Sequence, residues 1–391
     1  MRIGIDGATW ENSRGYGRFT RELVRTLVNL DPRNEYVLFV SPFAIGDPLL
    51  PNARIVKVQT RYAPSTAASA DGYRSPQDMW AFTRAMATAR LDLVFFPSVY
   101  SFVPVLQPRR VVVTVHDVIP ERFPQLVFKN ARARLFWTLK TQLAVAQATR
   151  VLTVSEHARQ GIQKYFRLAS NKIRVAPEAP AVAFHPISDR ALVDAAYQRV
   201  GLSPNARALV YLGGLSPHKN LSMLIQVFAE LVRIERFAEL KLLIIGDYER
   251  DVFYSHYPVL RAQVDALSRA SVIFTGFLDD AVVVLLLNSA QVCVLPSLDE
   301  GFGLPGIEAA ACGTPVIATR SSALPELLGE AAIYIDPTRP VELRAAIEHV
   351  LENESSRKMM SALGLERARR LTWDASAKRV LQVLEEAMGY A

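Results

Sequence analysis

Short apolar segments alternate with helical patterning and turn residues from one end of this chain to the other, and that alternation limits its fold more than any other feature. In the first half, strands are expected at Ile3–Asp6, Tyr36–Val40, Arg54–Val58, Leu93–Phe96, Val111–Val115, Val151–Val154 and Ile173–Ala176. In the second half they are expected at Ala208–Leu212, Lys241–Ile245, Val272–Thr275, Val292–Leu295, Val316–Ala318 and Ala332–Ile335. Strands that alternate with helices form parallel sheets, with helices as the crossovers, so the fold class is α/β.

At 391 residues the chain suits two domains better than one. Half of it is apolar, enough for two cores. Pro177–Ser188, with three prolines, is the linker candidate. Residues 1–185 then form a first domain, 186–371 a second, and 372–391 a closing helix. The closing helix carries the apolar stripe Ala375, Val380, Val383, Leu384 and Ala387, and follows helices near Val341–Glu352 and Ser355–Leu371. Arg61–Tyr73, rich in Ala and Ser, reads as a loop. Met1–Asp6 reads as a strand with no apolar leader, and the longest apolar run, Ala281–Leu287, is far short of a membrane span. Cys293 and Cys312 lack metal spacing, and a cytoplasmic location fits. The net charge of +7 is uneven: residues 1–190 hold 26 Lys+Arg against 14 Asp+Glu. A basic first half suits an anionic partner (a membrane surface, a phospholipid-linked acceptor or nucleic acid) or a solvated Arg-rich surface. Phe128–Arg150 reads as a basic helix. Ala131, Leu135, Leu139 and Leu143 are expected to pack it on the sheet, and Lys129, Arg132, Phe136 and Lys140 share a helical spacing, with Trp137 adjacent.

The chemistry concentrates in residues 291–318. A strand ends at Leu295, Pro296 breaks it, and Glu300-Gly301-Phe302-Gly303 forms a turn. Leu304 and Pro305 open a helix that carries Glu308 in its first turn. In open α/β sheets ligands bind at such strand ends. Glu300 faces a ligand from the turn, and Glu308 suits a ribose hydroxyl. Taken singly, Glu308 could complement the helix dipole and Glu300 could be a solvated turn residue.

The run from Glu300 to Glu308 resembles the two-glutamate signature of retaining glycosyltransferases of the GT-B fold, family 4. The resemblance covers most of the chain. It implies two Rossmann-like parallel-sheet domains facing a central cleft, the last helix crossing back to the first domain. It also implies hexosyl transfer (mannose, glucose or N-acetylhexosamine class) from a GDP- or UDP-linked sugar to a hydroxyl acceptor, with no further cofactor and no metal. A glycan or lipid-linked saccharide in cell-surface polysaccharide synthesis is the implied acceptor. Tyr211-Leu-Gly213-Gly214-Leu-Ser216-Pro217-His218-Lys219 resembles the donor-phosphate loop, with Lys219, read as an exposed loop lysine, on the pyrophosphate. Gly214 stands where many members carry an arginine, and Arg14 or Arg18 could substitute. Arg14-Gly15-Tyr16-Gly17-Arg18 resembles the family's first glycine loop. Thr20 at the sixth fingerprint position disfavours NAD. His116 matches the histidine that meets the donor sugar. Asp117 could orient it, meet the acceptor or cap the next turn. Residues after Gly276, including Leu278, match those that hold the base, and Asp279-Asp280 reads as a helix N-cap. Ser155 reads as another. The donor set is thus Gly15, Tyr16, Gly17, Gly214, Ser216, Lys219, Leu278, Glu300, Gly301, Phe302, Gly303, Leu304 and Glu308. His116, Glu300 and Lys219 are the catalytic candidates. A sugar phosphorylase or nucleotide-sugar epimerase of the same fold remains open. No aromatic-rich basic module supports nucleic-acid binding. The expected site of action is the cytoplasm, with peripheral contact at an anionic inner membrane face.

Overall fold

The computed structural model describes residues 1–12, 15–42, 50–61, 75–248, 255–267 and 271–390; Arg14 and most of the Arg61–Tyr73 loop lie outside them. They form two compact units, Met1–Glu178 with Thr372–Ala391, and Ala179–Leu371.

Unit one is built on seven strands: β1 Arg2–Asp6, β2 Glu35–Val40, β3 Ala53–Lys57, β4 Leu93–Phe96, β5 Val111–Thr114, β6 Arg150–Thr153 and β7 Ile173–Val175. Their order is β3-β2-β1-β4-β5-β6-β7, and every pairing is parallel. Unit two has β8 Ala208–Leu212, β9 Lys241–Ile245, β10 Val272–Gly276, β11 Val292–Leu295, β12 Val316–Thr319 and β13 Ala332–Ile335. Its order is β10-β9-β8-β11-β12-β13, again all parallel. Central strands such as β4, β5, β11 and β12 are buried at every position, which is why they read as unbroken apolar runs. In each sheet the strand order reverses once, between β1 and β4 and between β8 and β11. In open α/β sheets ligands bind outside the carboxyl ends of the strands at such a reversal.

The helix Trp373–Met388 closes unit one. It packs along the helix Gly15–Leu30 through Trp373, Ala377, Val380, Val383, Leu384 and Ala387. Ala375, expected in that stripe, is exposed; Ser376 and Ala377 are buried instead. Ser376 Oγ donates to Pro177 O at 2.5 Å, and Glu386 accepts from Arg174 Nε at 2.8 Å, so both ends of this helix are tied to β7 and the segment after it.

The helix Ala131–Gln147 departs most from expectation. Leu135, Leu139 and Leu143, expected against the sheet, are 60%, 62% and 42% exposed. Trp137, Thr141, Ala144 and Val145 are buried in their place. The helix is apolar on two faces, so periodicity alone could not choose between them. Trp137 decides it: its Nε1 donates to Glu121 Oε1 at 2.7 Å, and its ring lies 4.9 Å from Tyr100. A tryptophan buries more area than a leucine, and its N–H needs a partner once buried. Lys140, expected on the basic face, is drawn inward with it. Its Nζ donates to Tyr100 O at 3.0 Å and stands 4.4 Å from the Trp137 ring centre.

Candidate active site

In unit two the loops after β8 and β11 leave from either side of the strand reversal. After β8 the chain runs through Gly213 and Gly214 into a short turn, Pro217–Lys219, and then the helix Leu221–Leu231. After β11 it runs through Pro296–Gly303 into the helix Leu304–Ala311. Leu298 N donates to His218 O at 2.9 Å, and the Asn220 side chain donates to Pro296 O at 3.1 Å. These bonds hold the two loops side by side, and the backbone of Glu300 is bridged to Ser322.

That frame brings Lys219 and Glu300, 81 positions apart, into contact. Lys219 Nζ donates to Glu300 Oε1 at 2.7 Å, and Ser297 Oγ donates to the same oxygen at 2.6 Å. Both bonds fall on Oε1, which leaves Oε2 available to a ligand hydroxyl. Lys219 is not the exposed loop lysine expected: its side chain is 20% exposed and that of Glu300 14%. Tyr211, fully buried, lies within reach of the Glu300 charge. Its hydroxyl donates to Gly214 O at 2.6 Å, and burial with the Glu300 charge pushes its pKa well up, so it stays a neutral donor. Two helices aim their N-termini from this level of the sheet. Neither Asn220 nor Gly303 supplies a side-chain cap; Met223 N and Gly306 N donate to the Asn220 and Gly303 carbonyls and Pro305 has no N–H, so the N–H groups of Leu221, Ser222 and Leu304 are the ones left to an anion or hydroxyl. Gly303 must be glycine, because its φ is +83° and a Cβ would stand 2.8 Å from Leu324 Cγ.

Glu308 is 3% exposed and lies in the second turn of its helix, not the first. A role in complementing the helix dipole is weakened accordingly. Its charge helps burial to push the Cys293 and Cys312 thiols up to about 12, which keeps both protonated. Asp279 occupies the N-cap of the helix Asp280–Ser289 but makes no side-chain cap bond, contrary to expectation; Leu278 precedes it. Ser155 does cap its helix, accepting from Ala158 N at 2.9 Å.

In unit one, Gly15, Tyr16 and Gly17 form the first turn of the helix Gly15–Leu30 itself instead of a loop before it. Gly17 permits a close approach: a Cβ there would stand 2.0 Å from Asn12 O. Tyr16 stacks on Tyr100 with ring centres 4.9 Å apart. His116 follows β5 and is 8% exposed. Its Nε2 lies 3.1 Å from Pro97 O, and since a carbonyl only accepts, Nε2 carries a proton. Its Nδ1 lies 3.5 Å from Glu178 Oε1, and Phe19 packs edge-on against the ring. Asp117 caps the next turn, accepting from Ile119 N at 2.9 Å.

Glu178 and Glu121 are the acids that sequence reasoning passed over. Glu178, 5% exposed, sat inside a stretch read as linker. A charged residue between prolines was the available signal. Glu121 is buried beside Trp137, and burial, with the Asp117 charge added, raises its carboxyl to about 7 against the indole hydrogen bond. Its Oε2 is buried without a hydrogen-bond partner among the described residues. No group of three or more His, Cys, Asp or Glu among the described residues is placed to hold a metal ion.

Comparison with known proteins covers both units. The sequence model described as Glycosyl transferases group 1 matches residues 206–353, and that described as Glycosyltransferase Family 4 matches residues 13–179. The O-antigen chain mannosyltransferase B of Escherichia coli is 29% identical over 267 residues, 68% of this chain and 67% of that protein. The serotype-specific mannosyltransferase WbdA of Escherichia coli is 27% identical over 286 residues, 70% of this chain; the match spans only 33% of WbdA. Among solved structures, sucrose-phosphate synthase from Thermosynechococcus elongatus superposes with a TM-score of 0.77 at 19% identity, over all of both chains. HepE of Anabaena, in complex with UDP-glucose, superposes with a TM-score of 0.73 at 17% identity, over 99% of this chain and 100% of that one. At such identities the structural likeness speaks to fold alone.

Proposed function

The chain belongs to the glycosyltransferases, with the GT-B fold, family 4 in its first unit and group 1 in its second, and on that premise we propose that it transfers a hexosyl unit with retention at the anomeric carbon. The observation that carries this reading is the Lys219–Glu300 contact at the strand reversal of unit two, beside two uncapped helix N-termini. A nucleotide-sugar needs an anion site for its diphosphate and an acceptor for its sugar hydroxyls within a few ångströms of each other. Lys219 and the open N–H groups serve the first, and Glu300 serves the second.

In the proposed reaction the bond between the anomeric carbon and the diphosphate oxygen breaks. An acceptor hydroxyl oxygen bonds to that carbon on the same face, and its proton passes to the departing phosphate oxygen. Negative charge grows on the leaving group, where Lys219 and the N–H groups of Gly303, Leu304 and the start of Leu221–Leu231 can stabilise it. Glu308 accepts from the ribose, and Leu278 and its neighbours hold the base. His116 is assigned to a hydroxyl of the transferred sugar: with Nε2 bound to Pro97 O, that hydroxyl would meet Nδ1 and share it with the longer Glu178 contact at 3.5 Å. Glu178 is its positioning residue, fixing the ring that Pro97 O grips from the other side. Fixed protein charge does the work, with no metal or added cofactor.

The mannosyltransferase relatives favour a mannosyl unit and a glycan or lipid-linked acceptor in polysaccharide synthesis. A panel of GDP- and UDP-linked sugars, scored for nucleotide release with and without oligosaccharide acceptors, tests this. The product's anomeric configuration is then read by NMR. Release from a mannose donor with a retained product is expected; inversion, or turnover of none of the donors, would overturn the reading.

A further inference from the structure

The exposed face of the helix Ala131–Gln147 has no role in the chemistry above. Leu135, Leu139 and Leu143 recur at four-residue spacing and are 60%, 62% and 42% exposed, with Phe136 beside them at 40%. Arg132 lies on the same face, one turn before Leu135 and Phe136. The opposite face is committed to the interior by Trp137, Thr141, Ala144 and Val145. Four large apolar side chains in one stripe form a contiguous patch of the kind that marks an interaction site.

Charge identifies the occupant. From residue 123 to residue 155 the chain contains no Asp or Glu, but has Lys129, Arg132, Arg134, Lys140 and Arg150. Exposed Lys129 and Arg132 lie at the start of the helix. At its other end Gln147 exchanges hydrogen bonds with the backbone of Val105, at 3.0 and 3.2 Å. That anchors the loop carrying Leu106, 55% exposed, and the exposed Arg109 and Arg110. The patch is thus an apolar stripe with basic groups at both ends. A second copy of this chain would fit it poorly: packed in either direction, the two helices would set basic end against basic end. An anionic lipid surface satisfies both features at once, the leucines entering the acyl boundary and the arginines meeting headgroup phosphates. No helix among the described residues is long and apolar enough to cross a membrane, so the contact would be an in-plane one.

We propose that the helix Ala131–Gln147 docks unit one on an anionic phospholipid bilayer, with Leu135, Leu139 and Leu143 entering the interface and Arg132, Arg109 and Arg110 binding headgroups. This goes beyond the proposed transfer reaction and does not depend on it, because the test reads binding and not turnover. The full chain is sedimented with phosphatidylcholine vesicles and with vesicles that also contain phosphatidylglycerol. Binding is expected only to the second and should weaken as salt shortens the Debye length below ~10 Å. Replacing Leu135, Leu139 and Leu143 together by Gln should weaken it on the order of a hundred-fold. Replacing Arg132, Arg109 and Arg110 by Gln should do about the same, at roughly fivefold per residue. A single Leu139→Gln variant, with an unchanged melting curve, guards against loss of fold in the triple, and should still weaken binding measurably. Failure of the wild-type chain to bind acidic vesicles would overturn the proposal, as would undiminished binding by the leucine variants. So would a dimer in solution that Leu139→Gln converts to monomer, which would give the face to a second copy. Capture of a soluble acidic protein in place of vesicles would give it to that partner.

Discussion

Replacing Lys219 by alanine tests the site through two separate quantities. In the structure its ammonium contacts Glu300 Oε1 at 2.7 Å, with the two side chains 20% and 14% exposed. Breaking a fully buried pair from one side costs about 3–5 kcal/mol, since it strands the other charge. Residual water around both groups reduces that here to about 2 kcal/mol, because screening softens the stranded charge. Ser297 still holds Oε1, so the loop should keep its shape. In a unit of this size, 2 kcal/mol lowers Tm by roughly 4–8 °C. Glu300→Gln keeps an oxygen for Ser297 and Lys219 and should cost about 1 kcal/mol. In the double variant the two losses should fall short of additivity by about 1 kcal/mol, the signature of direct contact. Turnover is the second quantity. A fixed donor aimed at developing charge is worth ~10²–10³ in rate, so Lys219→Ala should lose that much in kcat while still binding free sugar. The assays are denaturant unfolding of the four chains of the cycle and nucleotide release with the donor found by screening. Losses of stability that add within ~0.5 kcal/mol would mean that the pair does not form in solution. Wild-type turnover in Lys219→Ala would refute the account of leaving-group stabilisation and shift attention to Arg18.

Glu308→Ala should weaken binding of free nucleoside diphosphate by roughly 10- to 100-fold, the equivalent of a charge-assisted hydrogen bond of about 1.5–3 kcal/mol; calorimetry showing unchanged affinity would remove the ribose role. Glu178→Gln should lower kcat by about tenfold or more with KM little changed, and Glu178→Asp should recover part of it; equal rates in all three chains would leave Glu178 a structural acid. Glu121 carries a folded pKa raised to about 7 by burial, above its unfolded value near 4.5. Its contribution is therefore full below pH ~4.5 and is lost as pH rises through 7. Glu121→Gln should stabilise the chain relative to wild type at pH 8.5 by about 3 kcal/mol but little at pH 5, and parallel melting curves across that range would refute it. Excess chelator should leave transfer intact, and activity restored only by added Mg²⁺ or Mn²⁺ would show that a metal shares the work assigned to Lys219.

The sequence by itself determined the architecture. Each strand of the two sheets is a short run of apolar residues bounded by turn formers, and each pattern repeats within a few residues, so local reading sufficed. It also located the loops that matter, because Gly213–Lys219 and Glu300–Glu308 leave the ends of such strands. Glycine, lysine and glutamate there have few purely structural uses in combination.

What only the tertiary structure decided are the contacts between distant residues. Lys219 and Glu300 each read as ligand-facing groups, and nothing local says that they touch one another across 81 positions. Glu178 read as linker because its partner, His116, is 62 positions upstream; the two meet only because the segments that follow β5 and β7 come together in the folded unit. The helix Ala131–Gln147 shows the limit most plainly. Its leucine stripe satisfies the periodicity of a buried face as well as the Trp137 stripe does. Three-dimensional contacts with Glu121, Tyr100 and Phe128 settled the choice, since burying an indole with its N–H paired outweighs burying leucines that need no partner. Periodicity reports that a face is apolar; which apolar face is covered depends on partners that the chain brings together only by folding.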